Sequence, residues 1–375
     1  MHIPPEDERT PLSKRSRLRR REFLGLTALS LLAAACRPVR DGVPTIYPRG
    51  STVIPSPTPT LPPRGINTAQ PRPQAPPITA IRNLYEKSFR GTPDLDNADN
   101  WQVQIDGLVA NPLTLNLTDL RAAPAQRVIR TLQCISNPVG GGLIGNVSWD
   151  TTDAAPFFAR ANVLPSAKYA LFEAADGYTT SVKVEELLQD GVLFVYGAEG
   201  APLPPEHGYP LRILIPGLYG QKQPKWLTRI TFSSEDRLGY WEGDGRGWSN
   251  VAVVKTNSAL RTPDGREAFA APIAVSGVAF AGKRRITQVE IAVDDASERR
   301  LPRIWNPTRL VQTSDPLVWT WWAWEWTPTG VGVFRLAVRA TDETGYAQAI
   351  LPNSLIGAAF PDGTDAIHAA LVRVQ

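Results

Sequence analysis

Cysteine is scarce in this sequence: its 375 residues include two cysteines, one methionine and three histidines. Two cysteines allow at most one internal disulfide, which excludes a small extracellular scaffold held together by cysteine bridges. No Gly-x-Gly-x-x-Gly motif directly joins a predicted strand to a predicted helix, and there is no P-loop, so nothing in the sequence indicates a nucleotide-binding domain. A Cys-x-x-Cys-His motif is also missing, and we therefore expect no haem in this chain.

Positive charge is concentrated near the N-terminus. The chain has 40 basic and 36 acidic residues, and residues 1–35 hold seven of the basic and four of the acidic ones. The remainder is nearly neutral and lacks the basic surface that nucleic acids require, so we expect no nucleic-acid partner. A hydrophobic content of 42% in a chain of this length predicts one large or two medium globular domains.

The first 36 residues have the layout of an export signal. The pair Arg20 and Arg21 precedes an apolar run from Phe23 to Ala35, shorter than the roughly 20 residues that span a bilayer. This layout predicts a twin-arginine signal, read by the twin-arginine export machinery, and lipidation of Cys36. The protein would then be anchored to the outer face of the cell membrane, on the periplasmic or extracellular side. The alternative is a buried amphipathic N-terminal helix.

A proline-rich segment covers residues 37–77, where twelve of forty-one residues are proline. Such a segment buries too little apolar surface to offset the entropy of ordering it. It is typical of an extended, semi-rigid tether.

Residues 78–260 mix short strand patterns with short helix patterns. Residues 101–105 alternate with a period of two, and residues 211–215 form an apolar run that ends at a proline. Asn116 is a candidate N-cap for a short helix, and residues 184–188 predict another. Short strands and helices in no regular order predict an α+β fold rather than a doubly wound sheet.

Residues 264–375 show strong alternation instead of helical signals. Val289, Ile291 and Val293 share one face of a predicted strand. About one hundred residues of this kind predict an immunoglobulin-like β-sandwich. Five tryptophans cluster on one hairpin, which indicates either an interface with a partner or a filling of the sandwich core and its contact with the first domain: Trp319, Trp321, Trp322, Trp324 and Trp326.

Cys134 is the thiol that remains if Cys36 is lipidated. It directly follows a strand pattern and precedes a glycine-rich stretch at 140–146. A lone cysteine is most often an inert buried residue. A thiol at a strand end, beside a loop whose backbone can approach a ligand closely, is also typical of a metal or cofactor site.

Six motifs occur in order between residues 78 and 250. They are TLQCISN at 131–137, GGGLIGN at 140–146 with Trp149 behind it, ADGY at 175–178, HGYPLR at 207–212 with PGLYG at 216–220, KWLTRI at 225–230 and GYWE at 239–242. In this order they resemble the sulfite oxidase family of molybdopterin-dependent oxidoreductases. The resemblance implies a molybdopterin-binding domain of the sulfite oxidase type, followed by an immunoglobulin-like dimerisation domain and hence a homodimer.

The resemblance also implies roles for individual residues. Cys134 stands at the position of the thiolate that ligates molybdenum, Arg82 at that of a cation lining the anion pocket, and Tyr240 is a candidate aromatic near the metal. The implied cofactor is one molybdenum-molybdopterin per chain. Its predicted contacts are Asn83, Tyr85, Glu86, Cys134, Asp176, His207, Arg212, Gln223, Pro224 and Lys225.

Two departures from the family pattern bear on the substrate. Leu84 replaces a histidine, and NLYE at 83–86 is similar to the periplasmic protein-methionine-sulfoxide reductase catalytic subunit. Pro138 and Val139 occupy the region that contributes a further substrate arginine in sulfite oxidases. With fewer cations for the substrate, we expect weak oxidation of sulfite and better turnover of a neutral molecule.

The resemblance as a whole implies oxygen-atom transfer on a small oxyanion or a sulfoxide-like molecule, with sulfite as the first candidate. Electrons would be exchanged with a separate carrier, such as a c-type cytochrome or a membrane redox protein. The alternative is a non-catalytic, lipid-anchored binding or assembly protein on the same fold.

Overall fold

The computed structural model describes residues 75–95, 100–243, 245–263, 272–297, 300–349 and 359–375. The predicted export signal, Cys36 and the tether up to residue 74 lie outside these ranges. Within them, no helix is both long enough and apolar enough to cross a membrane.

Strands dominate the described chain up to residue 233. They are β1 (Gln102–Gly107), β2 (Leu113–Asn116), β3 (Ala125–Gln133), β4 (Ile144–Asp153), β5 (Tyr169–Ala174), β6 (Thr179–Lys183), β7 (Leu193–Ala198), β8 (Ala201–Pro202), β9 (Arg212–Leu214) and β10 (Leu227–Ser233). Three short α-helices accompany them: α1 (Leu117–Ala122), α2 (Ala155–Ala161) and α3 (Val184–Leu187). The predicted mixture of strands and helices is present, with few helices and mostly β structure.

The ten strands form two sheets. The first has the order β2-β1-β10-β5-β6, in which β1 and β10 pair in parallel and the other neighbours are antiparallel. The second has the order β3-β4-β7-β8, and β9 also pairs with β7. This second sheet therefore supplies both the strand that precedes Cys134 and the strand that begins with Arg212.

Local sequence explains several of these elements. Val103 and Ile105 are fully buried while Gln102 is exposed, which confirms the predicted period-two strand at β1. The Asn116 side chain accepts a hydrogen bond from the Asp119 N–H at 2.9 Å, and the Asp119 carboxylate accepts one from the Asn116 N–H at 2.9 Å. This reciprocal capping box starts α1 where Asn116 predicted it.

The remaining described strands follow residue 256. They are β11 (Asn257–Thr262), β12 (Ile273–Phe280), β13 (Ile286–Asp295), β14 (Asn306–Pro307), β15 (Arg309–Val311), β16 (Thr320–Trp326), β17 (Gly332–Asp342) and β18 (His368–Val374). They form two antiparallel sheets with the orders β11-β12-β16-β15 and β14-β13-β17-β18. β11 already belongs to this region, although it begins before the predicted domain start at residue 264.

These two sheets share one hydrophobic core and form a β-sandwich, called here the C-terminal sandwich. Val275 and Trp322 from the first sheet pack in the same buried cluster as Ile291 and Leu336 from the second. Val289 and Ile291 are buried and Val293 packs against the core, as the predicted alternation requires, although Ala292 between them is buried as well. The finer, immunoglobulin-like assignment of this sandwich stays a prediction.

The five clustered tryptophans serve two different cores. Trp322 and Trp326 are buried inside the C-terminal sandwich, and Trp324 packs against that core. Trp319 is buried in a separate cluster, against which Trp321 packs, together with residues from before the sandwich such as Ile135 and Tyr219. The rings thus fill the sandwich core and its contact with the N-terminal part of the chain.

Candidate functional site

Cys134 begins the connection between β3 and β4, residues 134–143, which we call the Cys134 turn. The Cys134 N–H donates to the Leu143 carbonyl at 3.0 Å, so the turn closes as soon as β3 ends. The Asn137 N–H donates to the Cys134 carbonyl at 3.0 Å, and Asn137 Oδ1 accepts from the Leu143 N–H at 2.9 Å. The half-buried Cys134 Sγ lies 3.1 Å from Ser136 Oγ. Local hydrogen bonds therefore define the backbone around the thiol.

Arg212 and Lys225 lie side by side, because their backbones form an antiparallel bridge at the start of β9. Arg212 Nη1 donates to the His207 carbonyl at 3.1 Å, and its guanidinium carbon lies 5.2 Å from the centre of the Trp149 ring. Lys225 Nζ donates to the Glu206 carbonyl at 2.6 Å. The bridge holds both cations beside the 3₁₀ turn that contains Glu206 and His207.

Gly208 allows this turn to lie against the two cationic residues. Its φ of +112° is in the left-handed region, and a Cβ atom there would lie 3.2 Å from the Cβ atoms of Arg212 and Lys225. A larger residue would be strained and would push the His207 turn away from both.

Burial and mutual repulsion lower the pKa values in this cationic cluster. Burial lowers the pKa of Arg212 to about 10. Burial, and then the charge of Arg212, lower the pKa of Lys225 to about 8 and that of His207 to about 4. Arg212 Nε is buried without a hydrogen-bond partner among the described residues. A bound anion would offset the repulsion between these cationic groups and would accept a hydrogen bond from the free Arg212 Nε–H. The cluster is therefore suited to a phosphate group.

A single pocket of about 250 Å³ is lined by both Cys134 and the cationic cluster. Burial and the nearby Cys134 raise the pKa of Tyr85, whereas Arg212 lowers it, so Tyr85 lies within electrostatic range of both. The predicted site residues that line the pocket are Tyr85, Cys134, Asp176, His207, Arg212, Gln223, Pro224 and Lys225.

Asp176 and Gln223 are already hydrogen-bonded inside the protein. Asp176 Oδ1 accepts from the Tyr178 N–H at 2.9 Å, and burial raises the pKa of Asp176. Gln223 Oε1 accepts from the Ile215 N–H at 3.1 Å, and its Nε2 donates to the Leu218 carbonyl at 2.6 Å. These hydrogen bonds fix the Gln223 side chain in the pocket wall.

Three predicted site residues before Phe89 do not line the pocket. Arg82 and Asn83 are exposed on the 3₁₀ turn Ile81–Asn83, and Glu86 is exposed as well. Leu84 is the buried residue of this stretch, and it packs in the core around Trp149. The structure thus places Arg82 outside the pocket in which it was expected to bind the substrate.

Tyr240 does not line the pocket either, but it contacts a residue that does. Its ring centre is 4.0 Å from that of Phe89, which does line the pocket. The guanidinium carbon of Arg246 lies 3.6 Å from the centre of the Tyr240 ring, and Trp241 contacts its edge at 4.9 Å. Tyr240 is therefore placed to support the aromatic wall rather than to face a ligand directly.

Several lining residues were not singled out from the sequence. Lys87 and Phe89 follow the predicted contacts at 83–86, and Ser136 follows Cys134 by two positions. Trp241 is the neighbour of Tyr240 in the motif at 239–242 but had no role assigned to it, and Trp248 follows seven residues later. Proximity in sequence to the predicted contacts was the available signal for all five.

Comparisons with known proteins identify the family. Residues 90–241 match the family described as oxidoreductase molybdopterin binding domain. The uncharacterized oxidoreductase YuiH of Bacillus subtilis (strain 168) is 34% identical over 163 residues, which cover 42% of this chain and 80% of that protein. The mitochondrial sulfite oxidase of Macaca fascicularis is 24% identical over 314 residues, 72% of this chain and 56% of that protein. The chain belongs to the sulfite oxidase family of molybdopterin oxidoreductases.

A solved structure of similar architecture supports the fold of this sulfite oxidase relative. The sulfane dehydrogenase SoxCD from Paracoccus pantotrophus superimposes with a TM-score of 0.67 at 22% identity, covering 83% of this chain and 89% of that one. Because the chain spans only about half the length of the mitochondrial sulfite oxidase it matches, family membership alone does not carry over that enzyme's substrate.

The pocket fits molybdenum-molybdopterin, the cofactor that membership of the sulfite oxidase family implies. Cys134 offers a thiol, which becomes a soft thiolate ligand on binding a metal. Arg212 and Lys225 offer two cations and a free buried N–H for the phosphate group in which molybdopterin ends. Both donor types line the same pocket, as the cofactor requires.

Proposed function

We propose that this protein is a molybdenum-dependent oxidoreductase that transfers an oxygen atom to or from a small oxyanion or a sulfoxide-like molecule. The observation that carries the proposal is the shared pocket of Cys134, Arg212 and Lys225. A thiol without the cations would fit many metal sites, and the cations without the thiol would fit many phosphate sites. The combination fits a metal cofactor that ends in a phosphate.

When bound, molybdenum-molybdopterin supplies two-electron oxygen-atom chemistry, and the chain supplies binding, orientation and charge. Cys134 would ligate the metal through its thiolate. Arg212 and Lys225 would bind the phosphate through charge-assisted hydrogen bonds. His207, whose low pKa keeps it neutral at pH 7, would contribute a hydrogen bond rather than a charge.

The remaining pocket wall bears on the substrate. Phe89, Trp241 and Trp248 line it with aromatic surface, and Lys87 adds an exposed cation at the same pocket. Arg82 lies on an exposed turn instead. Sulfite is the first candidate to assay, and the aromatic wall with its few cations favours a neutral sulfoxide over a doubly charged anion.

Export and electron transfer complete the proposal. The twin-arginine pattern and Cys36 support export and a lipid anchor on the outer face of the cell membrane. The sequence has no haem-attachment motif, so we propose electron exchange with a separate carrier, such as a c-type cytochrome or a membrane redox protein. Because the C-terminal sandwich resembles the family's dimerisation domain, we also propose that the protein forms a homodimer.

The test compares the two cysteines of the chain. We expect the purified wild-type protein to contain one molybdenum per chain, measured by elemental analysis, and to turn over dimethyl sulfoxide faster than sulfite. Cys134→Ser should lose turnover and molybdenum while still folding, because a small side-chain change costs only about 1 kcal/mol of stability.

Cys36→Ser is the matched control. This substitution removes the other thiol. The variant should therefore retain molybdenum and turnover, but it should be recovered in the soluble fraction instead of the membrane fraction. Wild-type protein without molybdenum, or unchanged turnover in Cys134→Ser, would sink the proposed function.

A further inference from the structure

The C-terminal sandwich holds the strand that leads into Cys134. The Thr131 N–H in β3 donates to the Leu317 carbonyl at 2.9 Å, and Thr131 Oγ1 accepts from the Trp319 N–H at 2.8 Å. One residue earlier, Arg130 forms an ion pair with Asp315. The segment just before β16 thus forms hydrogen bonds with β3, in addition to those that β3 forms within its own sheet.

The residue next to Cys134 is joined to the sandwich by a reciprocal amide pair. Gln133 Nε2 donates to Asn257 Oδ1 at 3.2 Å, and Asn257 Nδ2 donates to Gln133 Oε1 at 3.1 Å. Asn257, the first residue of β11, also donates to the carbonyls of Lys255 at 2.7 Å and Phe280 at 3.1 Å. These two backbone carbonyls therefore fix the Asn257 amide, which in turn fixes the buried Gln133.

The far side of the Cys134 turn is held by the same strand. Arg261 in β11 donates from Nη1 to the Gly140 carbonyl at 2.9 Å and from Nη2 to the Gly141 carbonyl at 2.8 Å. A planar guanidinium that bonds two successive carbonyls restricts both position and angle. The His368 ring covers Gly140 so closely that a Cβ atom there would lie 2.3 Å from it.

Apolar packing adds to these polar contacts. Ile135, directly after Cys134, is buried in one cluster with Ala259 of β11 and Phe280 of β12. Both neighbours of Cys134 are thus in contact with the sandwich, Gln133 through an amide pair and Ile135 through apolar surface. The thiol itself lines the cofactor pocket between them.

We propose that Asn257 and Arg261 are positioning residues for Cys134, so that the C-terminal sandwich sets the geometry of the metal-ligating thiol. The role of the thiol as a metal ligand rests on the proposed function, and the way in which the two residues position it rests on the contacts described above. The two residues lie four positions apart on one strand and bond the chain on either side of the thiol. Loss of either would remove the side-chain hydrogen bonds from β11 to one side of the Cys134 turn.

The first readout is the reactivity of the thiol in the cofactor-free, full-length chain on a Cys36→Ser background, where Cys134 is the sole thiol. We expect Asn257→Ala and Arg261→Ala each to raise the rate of alkylation by iodoacetamide roughly three- to tenfold, the effect of losing one or two buried hydrogen bonds. Arg261→Lys keeps the charge without the fork and should fall between Arg261→Ala and the parent. Arg309→Ala, at an exposed arginine of the same sheet, is the matched control and should not change the rate.

The second readout uses the molybdenum-loaded enzyme. The rate of molybdenum release should rise by a similar factor in both alanine variants, and the sulfur-to-metal absorption bands should shift. A residue that only stabilises the fold would lower the urea midpoint without shifting the bands. A double-mutant cycle of Gln133→Ala and Asn257→Ala should be non-additive for release, since each change removes the same amide pair.

The two proposals fail in different ways. A wild-type chain that never takes up molybdenum overturns the proposed function. Alkylation rates, release rates and absorption bands in the Asn257 and Arg261 variants that equal those of the parent overturn the positioning inference. If an alanine variant is too unstable to purify, Arg261→Lys takes its place. Its alkylation rate, release rate and absorption bands are then compared with those of the parent in the same way.

Discussion

Lys222 and Glu242 form a fully buried ion pair, with Nζ 2.6 Å from Oε1 and side chains that are 0% and 1% exposed. Lys222 Nζ also donates to Asn250 Oδ1 at 2.8 Å, and Glu242 Oε1 accepts from Gln221 Nε2 at 2.7 Å. Because Gln221 lines the pocket, the pair joins the pocket wall to the segment that carries Trp241. Removing one partner would leave the other charge buried and uncompensated.

We therefore expect Lys222→Met to lower the free energy of unfolding by about 3–5 kcal/mol, measured by urea denaturation. Lys283 gives the matched control, since its Nζ lies 3.6 Å from Glu186 and the two side chains are 51% and 31% exposed. Lys283→Met should cost no more than about 1 kcal/mol. Equal losses in the two variants would show that burial of the Lys222 pair carries no special cost.

Loss of Arg212 should weaken cofactor retention more than substrate affinity. The variant Arg212→Ala removes a charge-assisted contact and a free buried donor, a loss of about 1.5–3 kcal/mol. Molybdenum and pterin content after gel filtration, set beside KM, measures both effects. Arg229→Ala, at a residue half-exposed on β10, is the control. Full cofactor content together with a raised KM would place Arg212 in the substrate site instead.

Cofactor uptake should fall as the pH rises past the pKa of Lys225. That pKa is about 8 in the free protein, so the ammonium is charged below this pH and neutral above it. A phosphate favours the charged form, and binding above this pH must take up a proton, which weakens it between about pH 7 and about pH 9. Reconstitution of cofactor-free protein across this range measures the effect. Lys225→Arg, which stays charged, should flatten the profile; an unchanged slope would exclude Lys225 as its source.

Lys87 rather than Arg82 should affect the anionic substrate. Lys87 lines the pocket, whereas Arg82 is exposed on a 3₁₀ turn outside it. We expect Lys87→Ala to raise KM for sulfite about three- to tenfold and to leave KM for dimethyl sulfoxide unchanged. Arg82→Ala should change neither. A larger effect of Arg82→Ala on sulfite would mean that the turn at Ile81–Asn83 brings Arg82 to the substrate.

The sequence predicted the elements whose cause is local. Period-two burial at Val103 and Ile105 and the cap at Asn116 depend on neighbours within a few positions, and the structure has both. Alternation states which face of a strand is buried but not which strand lies beside it. The parallel pairing of β1 with β10, which starts 125 residues after it, therefore had no signal in the sequence.

The same limit applies to the site. Cys134, His207 and Arg212 were found because they lie in contiguous motifs, and the pocket brings them together. Lys222 was not, because a lysine in a sequence is usually a solvated charge and only three-dimensional packing shows that Glu242 neutralises it. Arg82 was assigned by alignment with a motif, and alignment does not report exposure.

The contact between Gly140 and His368 has a consequence for the order of events in biosynthesis. His368 begins β18, the final strand that the structure describes, while Gly140 lies in the turn that carries the thiol. A ribosome-bound chain that has emerged only as far as β10 already contains every predicted cofactor contact, but it lacks the His368 ring that covers this turn. We therefore expect the cofactor to be inserted after β18 has been synthesised and has packed against the turn.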